Sequence, residues 1–300
     1  MKEKTGWLIY DKVGAEYNSG YIQMHMEEAE YLGIRLELKY AENFCFGISR
    51  GETFLLYEQK KIMFPEFVIC RTIYPFLSRH MEQMGICVFN NAKVAEICND
   101  KWKTYAYLAN KQIPMIETVF GRNKDVKENF ENIPNGTVIK AVSGHGGTQV
   151  FLKEKEKKEE ICCGIENENI ILQKLTGKAH QDVRVYVIGK EIIAAVKRTA
   201  VEGFKSNFSL GGQVELYDLS QKEEELVKKI IGEFEFGLVG IDFLIGENGE
   251  FIFNEIEDVV GARMLYQCSN INLVRRYLEF ILAKVKEKGD NEKDRGFGKV

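Results

Sequence analysis

Apolar residues fall in short runs over the first ninety positions, with amphipathic stretches between them. Residues 7–10 (Trp-Leu-Ile-Tyr) read as a strand, 20–32 as a helix and 34–38 as a second strand. A strand at 66–70, a short helix near 75–84 and a strand at 86–89 continue the alternation. Short strands alternating with helices predict a parallel sheet covered by helices. No Gly-x-Gly-x-x-Gly follows the first strand, so a dinucleotide fingerprint is excluded there.

The texture changes at Asn99-Asp100, either of which can cap a helix running from Trp102 to Asn110. Lys101 then falls in the first turn, where a cation opposes the helix macrodipole by a few tenths of a kcal/mol. Ile113-Pro114 closes that helix, and residues 138–142 form a strand carrying a single lysine, Lys140. A loop with Gly144, Gly146 and Gly147 follows directly. Glycines let backbone N–H groups wrap an anion, although the spacing is not that of a Walker loop. Residues 153–160 are eight consecutive charges of mixed sign and read as a solvated face. Further strands are expected at 149–152 and 170–175, and a hairpin over 182–198 turning at Gly189-Lys190. Ser220 and Glu223 form a capping box for a helix whose apolar stripe is Leu226, Val227, Ile230, Ile231 and Phe234. A last helix is expected over 273–285.

The sharpest pattern lies between Gly240 and Glu257. Asn248-Gly249 between two apolar runs is a strong signal for a two-residue hairpin turn. Counting back from it puts Glu247 opposite Glu250 and Asp242 directly opposite Glu255, with Glu257 two residues further along the same face. Three converging carboxylates repel one another, so they form either a solvated acidic strand end or a cation site. Hard oxygen donors of this kind suit Mg²⁺ or Mn²⁺. The same counting in the 182–198 hairpin sets Asp182 opposite Lys197. Arg184 and Arg198 then point to opposite faces unless a bulge intervenes.

Composition narrows the field. Forty-one basic against 45 acidic side chains give a net charge of −4, which argues against a nucleic acid or an anionic membrane as the main partner. The longest apolar runs fall far short of the ~20 residues needed to cross a bilayer. A strand begins so near Met1 that no signal peptide is expected. The seven cysteines are scattered without a Cys-x-x-Cys pair, which fits a reduced, cytoplasmic protein. Four dispersed histidines suggest no zinc site, and there is no Gly-x-Ser-x-Gly elbow.

Taken in order, these segments resemble the ATP-grasp superfamily, in its RimK-like branch of ATP-dependent carboxylate–amine ligases. The resemblance runs from Asn99-Asp100-Lys101 through Val138-Ile139-Lys140 and its glycine loop, then Leu172-Gln173-Lys174-Leu175 and Asp182-Val183-Arg184. It continues through Arg198, Lys205-Ser206-Asn207 and Gly211-Gly212 to Asp242 and Glu255. It implies an α/β and α+β chain: an N-terminal Rossmann-like pre-ATP-grasp domain (1–97), then a two-subdomain ATP-grasp domain (98–285). The latter divides into a small lid-like part (98–170) and a metal- and nucleotide-binding part (171–285), leaving 286–300 as a disordered charged tail.

By the same resemblance Lys101 and Lys140 bind the ATP phosphates, and Gly144, Gly146 and Gly147 close over them. Gln173, Lys174 and Leu175 meet the adenine edge, and Asp182, Lys205, Ser206 and Asn207 make further nucleotide contacts. Asp242, Glu255 and Glu257 hold Mg²⁺ or Mn²⁺. Arg198 and Arg184 steady an acyl phosphate formed from a carboxylate substrate before an amine attacks it.

Three departures from the family pattern stand out. Glu257 replaces the usual Asn, residues 258–263 (Asp-Val-Val-Gly-Ala-Arg) replace Ser-Pro-Gly, and Lys205 stands where arginine is common. Arg263 is a candidate for a substrate carboxylate or equally for a surface salt bridge. The expected protein is a cytoplasmic ligase acting on an amino acid, peptide or protein tail, with a homo-oligomer left open. A ribosomal-peptide macrocyclase, a small-metabolite ligase and a non-catalytic ATP-binding regulatory subunit are the rival readings.

Overall fold

The alternation in the first ninety residues does build a parallel sheet. Strands β1 (Lys4–Tyr10), β2 (Ile34–Tyr40), β6 (Phe67–Cys70) and β7 (Cys87–Phe89) lie in the order β2-β1-β6-β7, every neighbour parallel. Helices α1 (Lys12–Tyr17), α2 (Ser19–Tyr31), α3 (Pro75–Gln83) and α4 (Ala92–Cys98) accompany it. Trp7 to Tyr10 are buried without alternation, as a strand covered on both faces requires. An unforeseen insertion separates β2 from β6. Strands β3 (Phe44–Ser49), β4 (Glu52–Tyr57) and β5 (Lys60–Lys61) form a small antiparallel sheet whose first turn, Arg50-Gly51, has both residues at positive φ.

The computed structural model describes residues 4–144, 149–154, 157–165, 169–177, 181–199 and 213–294. After α5 (Lys101–Leu108), strands β8 (Thr118–Arg122), β9 (Thr137–Ala141), β10 (Val150–Leu152) and β11 (Asn169–Lys174) form an antiparallel sheet in the order β10-β9-β11-β8. Helices α6 (Asn123–Asn129) and α7 (Lys158–Gly164) supply Val126, Ile161 and Cys162 to its core. Because β11 pairs with both β8 and β9, the small sheet runs to Lys174, past the boundary expected at residue 170.

The third sheet, in the order β14-β13-β12-β15-β16, is antiparallel throughout. It holds β12 (Gln181–Ile188), β13 (Glu191–Thr199), β14 (Gln213–Leu216), β15 (Leu238–Ile245) and β16 (Phe251–Glu257). Its period of two sorts the side chains. Val183, Val185 and Val187 pack with Val227, Ile230 and Ile231 of α8 (Gln221–Gly232), which the Ser220–Glu223 capping box opens as expected. Tyr186 and Ile188, on the other face, join the core of the parallel sheet and helix α10 (Leu273–Asp294). A short α9 (Arg263–Cys268) precedes α10. The last helix therefore runs nine residues beyond the expected Val285, so 286–294 are helical rather than a frayed tail. Lys284 pairs with Glu287 one turn on, and Lys288 reaches the Gly85 carbonyl at 2.7 Å. All seven cysteines are free. Among the described residues no helix is long and apolar enough to cross a membrane.

A buried polar hub locks the parallel sheet to the third sheet. Asn90 donates to the Leu238 carbonyl (2.7 Å) and to Asp258 Oδ1 (2.6 Å), and it accepts from the Gly237 amide (2.5 Å). Asn99 donates to the other Asp258 oxygen at 2.9 Å. Asn90→Ala leaves a buried amide and half a buried carboxylate without partners, so it is expected to destabilise the chain by about 2–4 kcal/mol. A urea or thermal unfolding series compared with exposed Asn→Ala controls measures that loss.

Candidate functional site

Two register shifts assemble the site. In the β15–β16 hairpin the loop has three residues, not two: the Gly246 amide donates to the Glu250 carbonyl and Gly249 takes φ +87°. This moves the pairing by one from that expected, giving Ile245 opposite Phe251. A bulge at Asn254 then moves it back, so Asp242 does lie opposite Glu255 and Gly240 opposite Glu257. In the β12–β13 hairpin a bulge at Ile193 likewise adds one residue to the second strand and shifts the pairing by one. Asp182 stands opposite Arg198, which corrects the expected partner Lys197, and Lys197 turns out to Glu215 at 3.1 Å. That bulge is what brings Arg198 to the face that carries Arg184.

The result is a chain of ion pairs across four strands, β13, β12, β15 and β16. Arg184 grips Asp242 with two bonds of 2.7 Å and reaches Glu257 at 2.7 Å with its remaining nitrogen. Arg198 grips Asp182 with two bonds of 2.5 Å and adds a 2.7 Å bond to Asp242. Asp242 is 1% exposed, and single carboxylate oxygens of Asp242, Glu255 and Glu257 lie within 4.8 Å of one another. That hard-oxygen set fits a divalent cation of the Mg²⁺ or Mn²⁺ kind.

The small sheet and α5 bring two lysines to the same place. Asp100 caps α5, so Lys101 sits in the first turn as expected. Its ammonium lies 3.2 Å from Glu255 and donates to the Gly144 carbonyl at 2.6 Å, which offsets the unfavourable dipole position. Lys140 on β9 donates to Asn254 Oδ1 at 3.3 Å. The sequence pattern did not single out Asn254. Its bulged position turns it toward the cleft beside Glu255, and bulges near functional sites commonly re-aim a side chain in this way.

Burial pushes the Asp242 carboxyl up, but Arg184 and Arg198 outweigh it and hold the group at about 2. Burial likewise opposes Glu255, where Lys101 wins and the value falls. Glu257 goes the other way: burial, helped by the charges of Asp242 and Glu255, outweighs Arg184 and raises it. Burial lowers Lys140 from 10.5 to about 8, with Glu255 opposing and Lys101 assisting.

The other expected residues divide. Gln173 is buried in the ladder between β8 and β9, its amide donating to Thr118 at 2.8 Å and its Oε1 unpartnered among the described residues. Leu175 is 45% exposed and its N–H binds the Gly136 carbonyl, while Lys174 is exposed at the strand end. None of the three reaches the carboxylate cluster by a hydrogen bond. Gly146, Gly147, Lys205, Ser206 and Asn207 lie outside the described residues. Arg263 makes no carboxylate contact among the described residues. It lies over the Tyr17 ring at 4.8 Å and donates to the Tyr17 hydroxyl at 2.7 Å.

Comparison with known proteins bears on this arrangement. A model of the RimK-like ATP-grasp domain matches residues 98–281, well over half the chain. A probable alpha-L-glutamate ligase from Legionella pneumophila is 29% identical over 225 residues, covering 73% of this chain and 74% of that protein. Human N-acetylaspartylglutamate synthase A is 28% identical over 257 residues, covering 80% of this chain and 66% of that protein. Among solved structures, the ATP-grasp ligase PsnB with a precursor variant, Mg and ADP superposes with a TM-score of 0.68 at 14% identity. It covers 94% of this chain and 99% of its own. The VanG D-Ala:D-Ser ligase from Enterococcus faecalis gives 0.68 at 16% identity, covering 93% and 99%. At those identities the likeness is one of fold. With the family model spanning α5, the four- and five-stranded antiparallel sheets and the start of α10, the chain belongs to the RimK-like ATP-grasp family of ligases.

Proposed function

We propose that this ligase joins a carboxylate to the amine of an amino acid, with ATP as the third substrate and an acyl phosphate as the intermediate. The observation that carries this reading is the meeting of Lys101 and Lys140 with Asp242, Glu255 and Glu257, cations and carboxylates brought together from two sheets and a helix. The names of the glutamate-ligase relatives support an amino acid as the amine partner. Asp242, Glu255 and Glu257 would hold Mg²⁺ or Mn²⁺, and the ion when bound offsets charge on the phosphates. Lys101 and Lys140 offset the rest from the opposite side of the cleft. The donor carboxylate oxygen bonds to the γ-phosphorus as the bond to the ADP oxygen breaks. The amine then attacks the acyl carbon, phosphate leaves with the C–O bonding pair, and the amine proton passes to solvent. Arg184 and Arg198 set the field around the oxyanion, so catalysis is positioning and electrostatics without a protein nucleophile.

Phosphate release from Mg-ATP, measured across pools of amino acids and short acidic peptides with mass spectrometry of the responding pool, tests this. The expected result is release that depends on one pool and vanishes in an Asp242→Asn, Glu255→Gln double variant. Tight ATP binding with silence in every pool would overturn the enzyme reading in favour of a regulatory nucleotide binder.

Lys140 adds a signature of its own. Its folded value lies below the unfolded one, so between about 8 and 10.5 the folded chain binds fewer protons than the unfolded chain. Stability of the nucleotide-free protein therefore rises with pH through that window. A bound polyphosphate favours the ionised amine, so ATP binding above pH 8 takes up close to one proton. Calorimetry at pH 8.5 in buffers of different ionisation heat is expected to show that uptake. It should shrink toward zero at pH 6.5 and disappear in Lys140→Met.

A further inference from the structure

Arg71 follows the C-terminal end of β6, the end of a parallel strand where ligands bind in open α/β sheets. It is 6% exposed. An arginine that buried normally has a carboxylate partner. Among the described residues Arg71 has none within 4.0 Å. Its Nη2 donates to the Val260 carbonyl at 2.8 Å, its Nε donates to the Tyr10 hydroxyl at 3.3 Å, and its Cζ lies over the Tyr21 ring, 5.2 Å from the centroid. A guanidinium has five N–H donors, so most of this fork is unused. Asp258, the acid whose charge Arg71 influences, is already held by Asn90 and Asn99.

A second, independent observation marks the same place. The Tyr21 hydroxyl is shut off from solvent and has no hydrogen-bond partner among the described residues. A buried hydroxyl and a buried charge with unused donors both carry a desolvation penalty that a ligand would relieve. The location ties them to the chemistry. A Cβ on Gly240 would stand 2.7 Å from Val260 Cγ2 and 3.2 Å from Arg184 Cδ, so the side chain of Val260, whose carbonyl Arg71 holds, lies beside the same strand position as Arg184. A planar fork beside a phenol suits a carboxylate, whereas Lys101 and Lys140, proposed above for the ATP phosphates, meet the cluster at Glu255 and Asn254.

We propose that Arg71 and the Tyr21 hydroxyl form a subsite for the non-reacting carboxylate of the amino-acid substrate, with its reacting group directed toward Arg184. This rests on the ligase reading above but is tested apart from turnover. Calorimetric titration of the full chain, preloaded with Mg-ADP, would use a panel of free L-amino acids, glutamate included, each paired with its α-carboxamide. The wild-type protein is expected to bind one acid at least about 10-fold, and up to about 100-fold, more tightly than its amide, the worth of one or two hydrogen bonds to a charged group. Arg71→Gln should erase that preference, and Tyr21→Phe should lower affinity for the acid several-fold with an unchanged melting temperature. Equal binding of acid and amide by the wild type, no binding across the panel, or an Arg71→Gln variant that melts lower yet keeps the preference would each overturn the subsite. Acid-selective binding that depends on Arg71 in a chain that releases no phosphate with any pool would sink the ligase reading and leave the subsite standing.

Discussion

Asp242→Asn is expected to lower turnover by on the order of 10³-fold while leaving nucleotide affinity within a few-fold of the wild type. Asp242 is the residue on which the rest of the cluster converges. Both of its oxygens are held at 2.7 Å by Arg184, one also by Arg198, and it faces Glu255 across the hairpin. The amide keeps the shape and one acceptor but removes the negative charge that a divalent ion and two guanidinium groups share. Lys101 and Lys140 are untouched, so phosphate binding survives. Arg184 and Arg198 retain Glu257 and Asp182, which keeps the stability loss near the low end, about 3 kcal/mol, for a broken buried pair. Phosphate release and ATP calorimetry on the same sample check both halves. A variant that turns over within tenfold of the wild type would show that Asp242 holds arginines rather than a metal ion.

Much of this arrangement was legible in the chain because the chemistry sits on regular strands. Lone charges in apolar runs (Lys140, Asp182, Arg184, Arg198) and the acidic end of the last hairpin marked the cluster, and a period of two set most faces. What pattern reading could not provide was the bulges. Asn248-Gly249 suggested a two-residue turn, but the loop holds three residues, and only the extra residue at Asn254 restores Asp242 to Glu255. Two local departures thus cancelled. At Ile193 one bulge stands uncancelled, so Lys197 was expected where Arg198 is found. A one-residue slip flips every side chain to the other face, and an isoleucine within an apolar run gives no sign that it is the extra residue. The hub of Asn90, Asn99 and Asp258 was equally hidden. It joins residues 168 and 159 positions apart, and no periodicity encodes contacts of that range. Asn99 had looked like a helix cap, a role that Asp100 takes.

Arg198→Met is the substitution expected to cost most stability. It leaves Asp182, 5% exposed, without the two bonds that hold its charge in place. Burial already drives the Asp182 carboxyl upward against the pull of Arg198, so without the arginine it must protonate or draw in water. Removing one member of such a pair typically destabilises by about 3–5 kcal/mol. Thermal unfolding should therefore drop by many degrees, more than for any exposed Arg→Met control. Asp182→Leu combined with Arg198→Met removes both charges and replaces them with apolar groups, a change that buried pairs often tolerate or even favour. The double variant is expected to recover most of the lost stability while remaining slow, because Asp242 still lacks the bond that Arg198 supplied. That divergence separates holding the sheet together from serving the reaction. If turnover returned along with stability, Arg198 would be a structural partner of Asp182, and the oxyanion field would fall to Arg184 alone.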